Sequence, residues 1–322
     1  MGVWHFSGLG NSPGALTVPL TYIYLILKAA SRGDLMARRF FEASGEESQE
    51  RKGAPEALII FTSREIIEGE SMSRDIRDDW FRTPTGSVPA VISKYFSKLF
   101  GTLRNATFSE FYEEGWIRYI HFIAVNHTEL YDCFPKCYAT MNALREKEIW
   151  INMVAGTNPI NASLMLSAGF VEANARTYYI FEPDTRSIHP KIGPVDFSNP
   201  SVGPLLSRLN ILPFFSLDLG KLVRGLNEIF SGDRTIANIA EIYSLLNRLE
   251  FPKQYFKKLV SGGWIKTEGN TAKVGEMLER WNKMLGRIGE YPSNYSEWKK
   301  WASKEEILYN LTLDGNVEKV RP

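Results

Sequence analysis

The chain is poor in the residues on which metal and thiol chemistry are built. Its 322 residues hold two cysteines and four histidines. Cys133 and Cys137 stand four apart in Cys-Phe-Pro-Lys-Cys, and the nearest histidine is His127. A zinc site takes about four N or S ligands, so this pair falls short, though a local disulfide stays open, chiefly in a hyperthermophile. His5, His121, His127 and His189 do not cluster, and His5 and His121 fall inside strand-like runs, where a core role is expected. The carboxylates Glu65, Glu68, Glu70, Asp75, Asp78 and Asp79 sit in a charge-rich stretch that reads as solvated loop, so neither a metal nor a cofactor is expected. Charge of one sign is also lacking. The formal net charge is +1, which gives no global electrostatic drive toward nucleic acid or a membrane surface. No run of about 18 apolar residues occurs, so no membrane span is expected. The apolar stretch Ala15 to Ala30 follows a strand-like run and lacks a basic leader, so it reads as a core helix. Asn-x-Ser/Thr at Asn105, Asn126, Asn161, Asn294 and Asn310 then counts as chance, and a cytoplasmic protein is expected.

Three familiar site motifs are missing as well. There is no Gly-x-Ser-x-Gly elbow, so an acyl-enzyme serine is not expected. No Gly-Lys-Ser/Thr closes a phosphate loop. Gly8-x-Gly10-x-x-x-Gly14 departs from the dinucleotide spacing, and the next apolar run, Ala57 to Phe61, ends in Thr62 and Ser63 with no acid to hold a ribose.

Two loops are present in their place. Gly8-Leu9-Gly10-Asn11-Ser12-Pro13-Gly14-Ala15 follows the apolar run Val3 to Phe6, and Ala155-Gly156-Thr157-Asn158-Pro159-Ile160-Asn161 follows Ile149 to Val154. Each joins an apolar run to a small-residue helix start. Strand readings at 2–10, 57–61, 116–125, 149–154 and 176–181 alternate with helix readings at 14–31, 88–103, 137–147 and 158–169. The alternation predicts an α/β fold, Rossmann-like, with a mostly parallel sheet and helices on both faces. Ligands of such sheets bind beyond the carboxyl ends of the strands, and backbone N–H groups at helix starts suit phosphate. Ser12 is placed to line the loop mouth, or to serve as a turn or cap serine. Thr157 or Asn158 is expected to cap the later helix, with Pro159 in its first turn and Gly156 and Thr157 as phosphate donors.

Residues 1–183 therefore form a predicted ligand-binding domain. The proline-rich 184–230 segment reads as linker and connecting helix, and 231–322 as a mainly helical domain. Within the last, helices at 236–246 and 253–261 precede 264–274, a hairpin with a Gly269-Asn270 turn. Helix, helix, hairpin is the order of a winged helix. Lys253, Lys257 and Lys258 on the second helix and Lys273 on the hairpin would face DNA, but 231–322 carries only 15 Lys/Arg against 12 Asp/Glu.

The early Gly-x-Gly-x-Ser-Pro-Gly loop and the late Ala-Gly-Thr-Asn-Pro-Ile-Asn loop resemble those of CARF domains, the CRISPR-associated Rossmann-fold sensors. With a winged helix behind, the chain resembles archaeal ring nucleases and CARF transcriptional regulators of type III CRISPR systems. The resemblance implies a two-fold homodimer binding a cyclic oligoadenylate, commonly the tetramer, across its axis. It implies Gly10, Asn11, Pro13, Gly14, Gly156, Thr157 and Asn161 as ligand contacts, with Ser63 and Arg64 beside them. In ring nucleases a ribose 2′-OH attacks the adjacent phosphate without metal and leaves a 2′,3′-cyclic phosphate. Ser12 matches the family serine, and Asn158 stands where the family has lysine. Arg64, Arg176 and Lys191 are the candidates to replace that charge. The leading expectation is a ring nuclease with Ser12 and Asn158 as catalytic residues. The rivals are a ligand-controlled winged-helix DNA binder without cleavage and a nucleotide-binding scaffold for a protein partner.

Overall fold

The computed structural model describes residues 3–42, 55–77, 80–104, 117, 119–171, 173, 175–180, 188–190, 201–212, 219–232, 234–286, 292–312 and 315–321. The chain begins β1 (Val3–Gly8), α1 (Gly14–Ser31), α2 (Leu35–Glu42), β2 (Pro55–Thr62), α3 (Arg64–Ile67) and α4 (Val88–Arg104). It continues β3 (Tyr119–Ala124), α5 (Leu130–Ala143), β4 (Ile149–Asn152), α6 (Asn158–Val171), β5 (Ala175–Ile180), α7 (Val202–Arg208) and β6 (Leu209–Leu212). A second group follows: α8 (Leu219–Ile229), β7 (Ile236–Asn238), α9 (Ile239–Arg248), α10 (Tyr255–Ser261), β8 (Ile265–Glu268), β9 (Thr271–Val274) and α11 (Glu276–Gly286). The last elements are α12 (Tyr295–Lys304), β10 (Leu308–Leu311) and β11 (Val317–Lys319). Two short ladders, Met72–Ser73 with Gly86–Ser87 and Ile76–Arg77 with Arg82–Thr83, lie between α3 and α4.

Five parallel strands in the order β5-β4-β1-β2-β3 make the centre of an eight-stranded sheet. Antiparallel strands finish both sides, β6 on β5 and β10 on β3, with β11 outermost. This is an α/β, Rossmann-like fold. Every residue of β1 is buried, as a parallel strand covered on both faces should be. The pleat sends His5 and Ser7 to one face and Trp4 and Phe6 to the other. On the first face Phe41 of α2 stacks on Trp150, and Thr21 of α1 shares a 2.6 Å hydrogen bond with Tyr95 of α4. On the second, Trp4 meets Tyr295 of α12 edge-on at 5.2 Å. By length and composition α1 would pass for a membrane span, but it is 89% buried within the fold.

The structure divides the 231–322 stretch that the sequence reading kept together. Residues 219–286, with Phe134 of α5 and Phe170 of α6, build a second core in which Leu226, Ile242, Leu246, Ala272 and Leu278 are buried. Residues from 292 onward return to the first core. Trp298 donates its indole N–H to Thr140 Oγ1 at 3.0 Å, Asn142 Nδ2 donates to the Pro292 carbonyl, and β10 pairs with β3. Buried His121 links three of these elements, bonding Asn310 Oδ1 at 2.6 Å and Tyr295 Oη at 2.9 Å. Four-residue strands such as Leu308–Leu311 carry too short a pattern to announce themselves in sequence.

Other boundaries shift for local reasons. The helix expected from 137 starts at Leu130 and runs through Pro135. The helix expected from 236 starts at Ile239, because Asn238 caps it and Glu241 completes a capping box; Ile236–Asn238 pairs instead with β9. The helix expected over 253–261 is shortened to Tyr255–Ser261. The linker stretches 184–187 and 191–200 lie outside the described residues, while Ile188 within it is buried and its carbonyl accepts from Thr17 Oγ1 at 2.6 Å. Cys133 and Cys137 are free, buried thiols, so the local disulfide is not formed. Burial pushes the Cys133 thiol up to about 12 and Cys137 well above its ordinary value.

Candidate functional site

Strand order makes the site. From β1 the chain moves outward to β2 and β3, then crosses back to place β4 on the other side of β1. The order therefore reverses between β1 and β4, the point at which sheets of this kind place a ligand crevice beyond the carboxyl ends. The two sequence loops are the ones that leave these strands. They touch backbone to backbone. A Cβ on Gly8 would lie 2.6 Å from Gly156 Cα, and one on Gly156 would lie 2.8 Å from Gly8 Cα. Gly156 also holds φ +92°, which strains any side chain. Gly10 has open space around it and needs no glycine on steric grounds. The spacing motif thus points to the right loop, while the close approach rests on Gly8 and Gly156.

Behind the seam stand two helix starts. α1 begins at Gly14 and α6 at Asn158, and neither has an acidic residue in its first turn. Their N–H groups form electropositive ends with no carboxylate to offset them. Asn11, Ser12 and Asn158 are exposed at the mouth. Gly10, Gly156, Thr157 and Asn161 are partly buried, and Pro13 and Gly14 are buried. Pro13 precedes α1 in helical conformation, and its carbonyl accepts from Leu16 and Thr17 at 3.0 Å. Thr157 does not take up a capping bond; its hydroxyl donates to the His127 carbonyl at 2.5 Å and ties the late loop to the one after β3. Asn161 Oδ1 is buried without a hydrogen-bond partner, 3.2 Å from where a Gly156 Cβ would be.

Asn152 is the residue the sequence reading missed. It ends β4, is 1% exposed, and its side chain makes three bonds. Nδ2 donates to Ser7 Oγ at 3.1 Å and to the Ala15 carbonyl at 3.0 Å, and Oδ1 accepts from Val154 N at 2.9 Å. The Ala15 carbonyl is available because the residue four further along is Pro19, which has no N–H to give. One side chain therefore holds the start of α1 against the turn that enters the late loop. The signal was present: a polar residue closing the apolar run Ile149-Trp150-Ile151, and a proline one turn into an otherwise apolar helix.

The neighbouring strand ends carry the remaining candidates. Ser63 is buried, caps α3 with an extended backbone, and its side chain bonds Glu65, which holds that carboxylate below its ordinary range. Arg64 is exposed, and its guanidinium donates to the Glu306 carbonyl at 3.2 Å. Both line a cavity of about 370 Å³ between the ends of β2 and β3, together with Glu65, Asn126, His127 and Lys136. Asp132 braces its wall, accepting from Asn126 N at 2.7 Å and from Lys136 Nζ. Of the three cations considered for the missing lysine, Arg64 lies at this edge. Arg176 does not: it pairs in register with Trp150, near the start of β5, donates to the Phe40 carbonyl and lies 4.8 Å from the Trp150 ring. Lys191 lies outside the described residues.

Away from this edge, Lys253, Lys257 and Lys258 are exposed around α10, with Lys258 Nζ 4.7 Å from the Tyr255 ring. Lys273 is only partly buried and bonds Glu268, so its charge is locally matched.

No protein-family model matches the chain. Among solved structures, Enterococcus italicus Csm6 bound to cyclic hexa-2′-fluoro-hexa-dAMP is similar at a TM-score of 0.34 and 13% identity, over 71% of this chain and 46% of the Csm6 chain. The chain thus spans less than half of that protein. An Archaeoglobus fulgidus protein described as uncharacterized is 32% identical over 325 aligned positions, covering 96% of this chain and 98% of its own. At that identity over nearly the full length of both, the chain belongs to the family of this Archaeoglobus fulgidus protein.

Proposed function

We propose that the chain binds a cyclic oligoadenylate, in the first place the tetramer, at the crevice between β1 and β4, across a two-fold homodimer, and cleaves it without metal. The observation that carries this reading is the Gly8–Gly156 seam. It brings two helix starts, both free of first-turn acids, to one crevice. Phosphodiesters suit such a crevice, because backbone N–H groups bind each phosphate without a charged side chain. A two-fold interface doubles the set and matches a ring whose own symmetry contains a two-fold axis.

Cleavage needs a 2′-OH aligned with the neighbouring phosphorus and its leaving 5′-oxygen. The exposed Ser12 hydroxyl is a donor for the phosphate oxygen, and Asn158 adds an amide at the head of α6. Neither offsets the charge that builds in the transition state, so the two helix ends must supply that stabilisation. Slow turnover follows. Labelled cyclic tetra-adenylate incubated with the protein in EDTA should give linear products ending in a cyclic phosphate. Ser12→Ala should slow this by roughly ten- to hundredfold, and Asn158→Lys should speed it. An uncut ring after prolonged incubation with bound protein would contradict the cleavage step.

A second reading is a ligand-controlled winged-helix DNA binder. It is favoured by α9, α10 and the β8–β9 hairpin, with Lys253, Lys257 and Lys258 exposed. The Lys273–Glu268 pair weakens it. If it holds, duplex binding falls steeply with salt, and removing Lys257 and Lys258 lowers the slope of log K against log salt by about 2.

A further inference from the structure

The cavity between the ends of β2 and β3 does not have the chemistry of a phosphate site. Its cations, Arg64 and Lys136, are balanced by Glu65 and Asp132, and Lys136 already bonds Asp132 at 2.7 Å. Its floor is apolar: Ala124, Val125 and Ile307 line it and are all buried. Its rim offers donors and acceptors side by side. The guanidinium of Arg64 donates to the Glu306 carbonyl, and its charge helps to hold the Glu306 carboxylate, bonded to Lys319, below its ordinary range. The Glu65 carboxylate takes a bond from Ser63 and keeps lone pairs to spare. A floor for a flat face, a mixed polar edge and near-zero net charge are the requirements of a nucleobase. A guanidinium at the rim can also stack on one. The volume, about 370 Å³, lies within the range of small-ligand sites.

We infer that this cavity is a base pocket, taking the adenine of a nucleotide whose phosphate lies on the loops of the β1–β4 crevice. The inference rests on the proposed ligand for the choice of adenine, and on the cavity alone for the choice of a base. The two sites are physically joined, since the Thr157 hydroxyl of the late loop bonds the His127 carbonyl on the cavity wall. Glu65 is the specificity-determining residue. It accepts from the exocyclic amino group on a lone pair that Ser63 does not use, and a purine without that group forgoes this bond. Ile307 belongs to the returning C-terminal segment, so that segment completes the pocket as well as the sheet.

The test is photolabelling with 8-azidoadenosine 5′-monophosphate at millimolar concentration, peptide mapping, and competition by cyclic tetra-adenylate whose own binding is measured by calorimetry. The expected label falls on peptides carrying residues 63–65 or 124–127 and is displaced by the ring. Glu65→Ala should cut labelling about tenfold, while labelling by the analogue lacking the amino group should be weak in both proteins. Label in the cavity that the ring does not displace would uphold the base pocket and overturn the cyclic ligand. Label confined to residues 8–15 and 155–161, or none while the ring binds, would overturn the pocket and leave the ring-binding reading standing. No label and no ring binding would overturn both.

Discussion

At the scale of single residues, the site depends on two glycines more than on its polar groups. Gly8 and Gly156 let two backbones meet, and a methyl group on either collides with the other's Cα. Gly156→Ala adds the strain of φ +92° to that collision. Its expected cost is about 1–3 kcal/mol, seen as a lower urea midpoint, with loss of ligand binding even where the fold survives. Gly10→Ala, with open space around it, should leave the midpoint within about 0.5 kcal/mol of the parent. The sequence showed both loops, since glycine, proline and asparagine after an apolar run announce a strand-to-helix turn. It did not show which glycine mattered. That depends on a contact across 148 positions of chain (156 − 8), and no local pattern carries such information.

At the scale of elements, the crevice is held by a bond that crosses from β4 to α1. Asn152 donates to a carbonyl that Pro19 has left without its helical partner. Asn152→Ala should leave this carbonyl and Ser7 Oγ without their amide donor, at a cost of about 2–3 kcal/mol. Adding Pro19→Ala restores an N–H to α1, so the double variant should recover part of that loss in a denaturation cycle. Simple additivity of the two changes would contradict the coupling. The apolar runs made the central strands and α1, α4 and α6 legible, because burial on both faces imposes long hydrophobic segments. The starts of α5 and α9 were displaced by local devices: for α5 a proline carried inside the helix, and for α9 an Asn238–Glu241 capping box and the short strand Ile236–Asn238, which periodicity cannot resolve.

At the scale of the whole molecule, the C-terminal segment closes the first core instead of extending the second. His121 is the joint, itself buried and bonded to the half-buried Asn310 and Tyr295. Burial lowers its pKa to about 4 from an ordinary value of 6.5, and His5 on the other face is lowered to about 3. The unfolded chain therefore takes up protons that the folded one refuses. Stability is full above about pH 6.5 and falls as the pH drops toward 4, by on the order of 3 kcal/mol for His121. Urea unfolding at pH 7.5 and pH 5 measures this. A His121→Gln variant should be less stable at pH 7.5 but should lose less on acidification; an equal loss in both proteins would place the acid lability elsewhere. The division at 231–322 was not legible, because a four-residue strand, Leu308–Leu311, and a three-residue one, Val317–Lys319, decide it, and both lie in otherwise helical or charged sequence.

The two loops, the helix starts behind them and the seam between them converge on one claim, that a phosphodiester ring sits across two copies of the β1–β4 crevice. Calorimetric titration of the full chain with cyclic tetra-adenylate in EDTA, using Ser12→Ala to hold the ring intact, tests it most directly. The account predicts binding at one ring per two chains, abolished by Gly156→Ala in a preparation that remains folded. A ring bound to each chain separately would contradict the two-fold site, and no heat of binding would contradict the crevice as an oligoadenylate site altogether.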